Sequence, residues 1–409
     1  MPIISFKIDL TFVSIKLLAG NCKKGNAMAD VVVIGAGISG ASTAYELALL
    51  GHDVVLVDRY GSAAMASGWT MAGVRQSGRH PAELPLAQAA VDMWADLHER
   101  LDGETHYRRS GNLRCARTLD EVAAIRSIVA SQSATGLDIR FLDREDVRDL
   151  APYLSEGILA ASFCSTDGQA DAVATVNSFV KAAERAGAKL RFGERVLEIE
   201  VTRGHVRGVI TDKGTIPASR VVLAGGVYGN ELLEPLGHHV PFQTMSATMI
   251  RTSPVETKFV QVIGVANGDT TGRQEVGGHI RLGGGHEVWD GQMDHNPLPS
   301  VSPTLQSVQE ILQRFTALVP FSAELKIDRM WCGLIDQSVD AIPVIQRLEE
   351  PAGLVIAMGF SGHGFCLGPV TGKILSALAV GNTSPYPIEP FRIDRFPQGA
   401  KAGAVELHG

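Results

Sequence analysis

The chain has 409 residues, 45% hydrophobic and 20% charged, enough for two domains or for one large domain with a second inserted, and too apolar for wholesale disorder. A net charge of −7 with no Lys/Arg-rich run argues against nucleic acid as a partner and against a polybasic membrane anchor. Five scattered cysteines (Cys22, Cys115, Cys164, Cys332, Cys366), none in a C-x-x-C pair, argue against a disulfide framework and against a zinc or iron–sulfur site built by this chain alone; metal ligands are therefore expected to be absent, and the usage fits a reducing cytoplasm.

Residues 1–27 hold apolar runs broken by Lys7, Asp9 and Lys16, which argues against a signal peptide; they read as an extension outside the fold. No stretch of 18 apolar residues occurs, so no transmembrane segment is expected. VVVIG (31–35) is a continuous β-branched run and predicts a buried parallel strand. Residues 38–50 follow a helical pattern that Gly51 closes, and DVVLVD (53–58) is a second strand, completing a βαβ unit. A Gly- and Ser-rich loop follows to residue 81, then a predicted helix over 84–101, a strand over 110–116 and a helix that Gly136 ends. Asp143 is placed to cap a short helix, and residues 170–187 form a stronger one. KLRFG, VLEIEVTRGHVRGVITDKGTI and RVVLAGGVYG read as strands, the middle one as a small meander with turns at TRG and DKG. From 241 to 335 the texture changes to longer antiparallel strands (MSATMIRT, KFVQVIG, GHIRLGGG, LKIDRMWCGLI) around a helix at 303–318. LVIAMG (354–359) returns to the buried-strand pattern, and residues 368–381 predict a helix with Pro369 in its first turn.

Gly35-Ala36-Gly37-Ile38-Ser39-Gly40 is G-x-G-x-x-G between a strand and a helix. The first glycine permits the tight turn, the second lets a pyrophosphate approach the backbone, and the third lets the helix pack on the strand. The helix start offers free N–H groups and the positive end of its dipole to an anion. Asp58, at the tip of the next strand, is placed to bind a ribose hydroxyl. The later parallel-strand candidates, RVVLAGG and LVIAMG, lie far apart, so the nucleotide domain is expected to be assembled from three segments with another domain threaded between them. A single G-x-G-x-x-G plus a large inserted domain points to FAD reduced by a small organic substrate. The expected fold is thus α/β: a Rossmann-like FAD domain (28–80, 148–240, 336–396), an inserted α+β substrate domain on an antiparallel sheet (81–147, 241–335), and a tail over 397–409.

Taken in order, IGAGISG…VVLVDR, VVLAGGVYG, WCGLIDQSVDAIPVI and GFSGHGF…GPVTGK resemble the FAD-dependent amine and amino-acid oxidoreductases that include glycine oxidase, sarcosine oxidase and D-amino-acid oxidase. The resemblance runs from about Asp30 to Phe396. Within that family, ASGWTMAGVRQSGRHP and YRRSGNLRCA look most like β subunits of multi-subunit opine (octopine, nopaline) dehydrogenases, with proline, hydroxyproline and cyanide-forming glycine dehydrogenases similar. The resemblance carries Arg59, Ser67, Gly68, Ala224, Gly225, Gly359, Gly362, His363, Gly364 and Phe365 over as cofactor contacts, with Val196 at the adenine. It implies that the helix starting near Gly368 aims its positive end at the flavin edge that becomes negative on reduction. Asp340 and Pro343 match the family's Asp-x-x-Pro element.

For the substrate, an amino-acid carboxylate calls for Arg, and Arg75 is the first candidate, with Trp331 as a pocket wall. Sarcosine oxidases carry a carboxylate-binding Lys where this chain has Cys366; Cys366 is expected at the substrate site by position, and another cation, Arg75, Arg281 or His286, is expected to bind the carboxylate. Arg79 shares the Arg75 loop. The implied chemistry is hydride transfer from the carbon next to nitrogen to flavin N5, then imine hydrolysis; no catalytic acid or base is singled out. An opine giving an amino acid and a 2-oxo acid is the favoured substrate. Glycine, sarcosine, proline or hydroxyproline, and D-amino acids are alternatives, and a non-catalytic flavin-binding subunit is the reading outside enzymes. A second subunit carrying FMN or an iron–sulfur centre is the expected electron acceptor, in the cytoplasm or at the inner membrane through that complex.

Overall fold

The computed structural model describes residues 28–295 and 298–397. The expected extension over 1–27, and all but the first residue of the expected tail over 397–409, lie outside the described residues.

The β-branched run Val31–Ile34 is buried along its whole length because it is covered on both faces. Val31 and Val33 pack with the helices Ile38–Leu49, Ala172–Arg185 and Gly364–Ala379. Val32 and Ile34 pack with Ile199, Val209 and Ile216 of a three-stranded meander, Val196–Thr202, His205–Thr211 and Gly214–Pro217, whose turns fall at the predicted TRG and DKG. The run is the fourth strand of a six-stranded sheet, in the order Val344–Arg347, Leu354–Met358, Val221–Leu223, Val31–Ile34, Val54–Asp58, Lys189–Phe192. All pairs are parallel except the edge pair Val344–Arg347 with Leu354–Met358.

Three segments distant in sequence thus become neighbours. The strands ending at Ile34, Leu223 and Met358 lie side by side, and their C-terminal ends release Gly35, Ala224 and Gly359 at one edge of the sheet, where open α/β sheets bind ligands.

The inserted layer is a nine-stranded sheet in the order Glu287–Val288, Phe242–Thr252, Ile280–Gly283, Thr271–Gln274, Val262–Val265, Asn112–Ala116, Ala160–Cys164, Ile139–Leu142, with Ile327–Ser338 paired to Phe242–Thr252. Phe242 faces Ser338 and Arg251 faces Arg329 along that long pair. The helix Leu305–Leu318 covers one face through Ile311 and Phe315. The Thr304 side chain caps it by accepting from the Ser307 amide.

Several boundaries differ from expectation. Ala160–Cys164 belongs to the large sheet, so the chain returns to the nucleotide sheet with the helix Ala172–Arg185 and not at 148; pairing with Asn112–Ala116 decides its place. The KFVQVIG segment is strand only over Val262–Val265, and it runs parallel to Asn112–Ala116 inside an otherwise antiparallel sheet. The helix expected over 84–101 breaks into Leu84–Trp94 and Leu97–Leu101. The last helix starts at Gly364, four residues before Gly368, and Pro369 sits inside it. A Cβ at residue 368 would lie 2.3 Å from Ile38 Cγ1, so glycine there serves helix–helix packing.

Candidate cofactor and substrate site

A cavity of about 640 Å3 opens at the edge where the three strands end. Gly35, Gly37, Ile38 and Ser39 line one end of it, with Asp58, Arg59, Ser67, Val196, Ala224 and Gly225. Gly35 has φ +100°, and a Cβ on it would lie 2.3 Å from Ala224 O. A Cβ on Gly40 would lie 1.8 Å from Gly35 O, which is why the helix can sit so close to its strand. The amide of Ala36 donates to Asp58 Oδ2 at 2.8 Å, and Ile38 N donates to Ser67 Oγ at 3.0 Å. Asp58 Oδ1 accepts from Tyr60 N and Gly61 N, so this carboxylate braces the turn that it also borders. The Arg59 guanidinium stacks 3.7 Å over the Tyr228 ring and pairs with Glu231.

The helix Ile38–Leu49 has no side-chain cap and no acidic residue in its first turn. Neither has the helix Gly364–Ala379, whose first residues Gly364 and Phe365 line the same cavity together with Gly362 and His363. Two positive helix ends opening into one cavity fit a dinucleotide, with the pyrophosphate at the first and an electron-rich ring edge at the second. The cavity is also within the roughly 300–1,000 Å3 usual for ligand sites.

The substrate end is cationic. Arg75, Arg79 and Arg114 all line the cavity. The loop carrying the first two is pinned from several sides. Arg75 Nη1 donates to Ser77 O at 2.7 Å, and Arg79 Nε donates to Arg75 O at 3.1 Å. Asp167 accepts from Gln76 N at 2.8 Å and from the Ser77 hydroxyl. Gln132 Oε1 accepts from Gly78 N at 2.8 Å. Burial, then repulsion by Arg79 and Arg114, pushes Arg75 well below its ordinary value; burial and Arg79 push Arg114 down to about 10. A guanidinium stays protonated under such pressure, so the cluster is primed to be relieved by an anion.

Behind it, His363 Nδ1 lies 2.9 Å from Glu83 Oε2, with both side chains buried. Burial pushes His363 down to about 4, with Arg79 adding to the effect against the pull of Glu83, so the imidazole is neutral and donates Nδ1–H. Burial resists ionisation of Glu83, but His363, Arg79 and Arg75 outweigh it and hold the carboxyl below its ordinary value. Asp336, also on the cavity wall, accepts from Gly359 N at 2.7 Å, and burial pushes it up to about 6.

Some expected site residues stand behind the wall. Cys366 Sγ is tied to the Arg75 backbone, accepting from its N at 3.3 Å, and its carbonyl accepts the Trp94 indole N–H at 2.9 Å; starting the helix at Gly364 turns this side chain away from the cavity. Trp331 gives its indole N–H to Trp69 O at 3.0 Å and packs with Met249. Gly359, with φ +71°, shapes the turn that Asp336 and Ser361 hold. Ala36, Gly40 and Gly68 pack the nucleotide turn and do not line it. Arg281 is spent on Glu275 at 2.7 Å and on Thr70 O, whereas His286 does border the cavity and is pushed down by burial. Asp340 pairs with Arg395 at 2.7 Å, away from the wall. Arg114, Glu83, Asp167 and Asp336 carried no signal in the sequence, because a strand Arg and scattered acids look like surface residues until their burial is known.

The family model described as FAD dependent oxidoreductase matches residues 30–378. Glycine oxidase of Bacillus licheniformis is 27% identical, covering 90% of this chain and 97% of its own. Sarcosine oxidase subunit beta of Arthrobacter sp is 24% identical over 93% of each. Among solved structures, L-proline dehydrogenase from P. horikoshii superposes with a TM-score of 0.84 at 26% identity, covering 91% of this chain and 99% of that one. Among the described residues no helix is long and apolar enough to cross a membrane.

Proposed function

The chain belongs to the FAD-dependent oxidoreductase family, as an FAD enzyme that oxidises the C–N bond of an amine or amino acid, and from that premise we propose that its substrate is a small amino acid with a single carboxylate. The charge at the substrate end carries this reading. Arg75, Arg79 and Arg114 gather three guanidinium groups at the cavity, and the buried Glu83 carboxylate behind them offsets part of that charge, leaving a cationic end suited to a carboxylate. Glycine, sarcosine and proline have this character, and the relatives named for them support the choice.

When bound, FAD would supply the acceptor for the hydride, which carries both electrons. The chain's residues supply position. Gly37, Ile38 and Ser39 would hold the pyrophosphate at one helix end, and Gly364 and Phe365 would present the other helix end to the ring. The arginines orient the carboxylate, which fixes the neighbouring C–H and nitrogen relative to that ring. Ala247, Met249, Leu334 and Ile335 wall the cavity with apolar groups and exclude water from the reacting bond.

An opine carries a further carboxylate. Outside the cluster, Arg59 is the arginine on the cavity wall, and it lies beside Asp58 at the nucleotide end, so the opine reading has less support than the monocarboxylate one. A second reading concerns the acceptor: likeness to a protein named as a subunit supports electron transfer onward to a partner chain. The test is a panel of glycine, sarcosine, L-proline, D-alanine and octopine mixed anaerobically with the purified yellow protein. Loss of the flavin absorbance with one of the monocarboxylates supports the reading. Loss with octopine alone overturns it.

A further inference from the structure

Glu83 is completely buried, yet among the described residues no arginine forms an ion pair with it. One oxygen accepts from His363; the other is buried without a hydrogen-bond partner, and so is Nη1 of Arg79, four residues earlier in the loop that leads into the helix Leu84–Trp94. Arg79 and His363 face the cavity, whereas Glu83 stands behind them. A buried carboxylate with half its hydrogen-bonding capacity unused is costly to keep. An apolar or amide side chain would fill the same space without that cost. The Arg79 and Arg75 guanidinium groups, both on the cavity wall, are the cations whose charge acts on Glu83.

We infer that Glu83 is a specificity-determining positioning residue, which offsets one guanidinium charge and so limits the cavity to substrates with one carboxylate. The inference rests on the monocarboxylate reading above and deepens it. With Glu83 ionised the cluster holds one unit of positive charge less, so the second carboxylate of a dicarboxylate is balanced less well than the first. With Glu83 neutral the cluster gains one unit of positive charge and a dicarboxylate is held better. Interactions of this size between buried charges several ångströms apart change an affinity by roughly tenfold or more. Glu83 touches neither ligand nor reacting atoms, so its effect falls on the ratio between mono- and dicarboxylates.

The experiment measures binding of acetate and malonate to the FAD-loaded holoenzyme from the change in the flavin absorbance spectrum, for the wild type, E83Q and E83M. Glutamine still accepts from His363 Nδ1, and methionine is of similar length and uncharged; either variant decides if the other does not hold its flavin. The expected result is malonate affinity raised about tenfold or more, with acetate raised less, so that the malonate-to-acetate ratio increases. A merely structural role would weaken both probes and leave the ratio near its wild-type value, which overturns the inference. Failure of the wild type to bind either anion overturns the monocarboxylate reading itself, and Glu83's role falls with it. Binding of acetate by the wild type with an unchanged ratio in the variants overturns the role of Glu83 alone.

Discussion

Gly40→Ala and Gly37→Ala separate the two jobs of the nucleotide turn. A methyl on Gly40 would stand 1.8 Å from Gly35 O and 3.0 Å from Gly35 C, so the helix must retreat by about 1.2 Å to reach even 3.0 Å from that oxygen. The strand cannot give way instead. Gly35 N donates to Val57 O at 2.8 Å, and the space above Gly35 is closed by Ala224 O. Overpacking against fixed backbone costs about 3 kcal/mol, the upper end of what added methyl groups cost in cores. Gly37 differs: its φ of −71° suits any residue, and its methyl would meet Ser67 Oγ at 3.0 Å, a side chain that rotates. That variant is expected to lose less than about 1 kcal/mol, yet to place a methyl where the pyrophosphate must approach. Thermal melts of both apoproteins, with FAD dissociation constants from fluorescence quenching, distinguish the cases. G40A should lose both stability and FAD, G37A chiefly FAD. A G40A melt equal to wild type, or a destabilised G37A with full FAD affinity, refutes the reasoning.

Arg79→Met removes a cavity guanidinium and is expected to raise KM for the carboxylate substrate by about 30-fold or more with a smaller change in kcat, measured by steady-state kinetics. Asp336 has its native pKa raised from 3.8 to about 6, so the folded state holds this proton more tightly and stability falls as pH rises across that window. Asp336→Asn keeps an acceptor for Gly359 N and removes the buried charge; its melts should exceed wild type at pH 8 by up to about 3 kcal/mol, with the gap closing towards pH 4. A D336N protein less stable than wild type at pH 8 counts against this. Trp94→Phe removes the indole donor to the Cys366 carbonyl and should cost about 1 kcal/mol in denaturant melts.

The nucleotide layer was legible because its signals are local. VVVIG, VVL and LVIAM are apolar on both faces, as buried parallel strands require, and each ends in a turn of small residues at the same edge of the sheet. The meander's two turns were equally plain. The substrate end was not legible, since its chemistry comes from contacts between distant segments. Glu83 reads as an ordinary helix-start residue until His363, 280 residues on, is folded against it. Arg114 sits in a strand whose residues are all buried, which strict alternation would not predict. Pro369 looked like a helix start, because proline favours the first turn, but packing of Gly368 on Ile38 extends the helix by a turn before it and turns Cys366 out of the pocket.

A carboxylate site made by three arginines within the flavin cavity is open to inspection in a crystal of the holoenzyme soaked with acetate. The flavin nucleotide should lie stretched between the starts of Ile38–Leu49 and Gly364–Ala379, with acetate oxygens about 2.8 Å from guanidinium nitrogens of Arg75, Arg79 or Arg114. Acetate bound elsewhere on the flavin face, with those three guanidinium groups untouched, contradicts it.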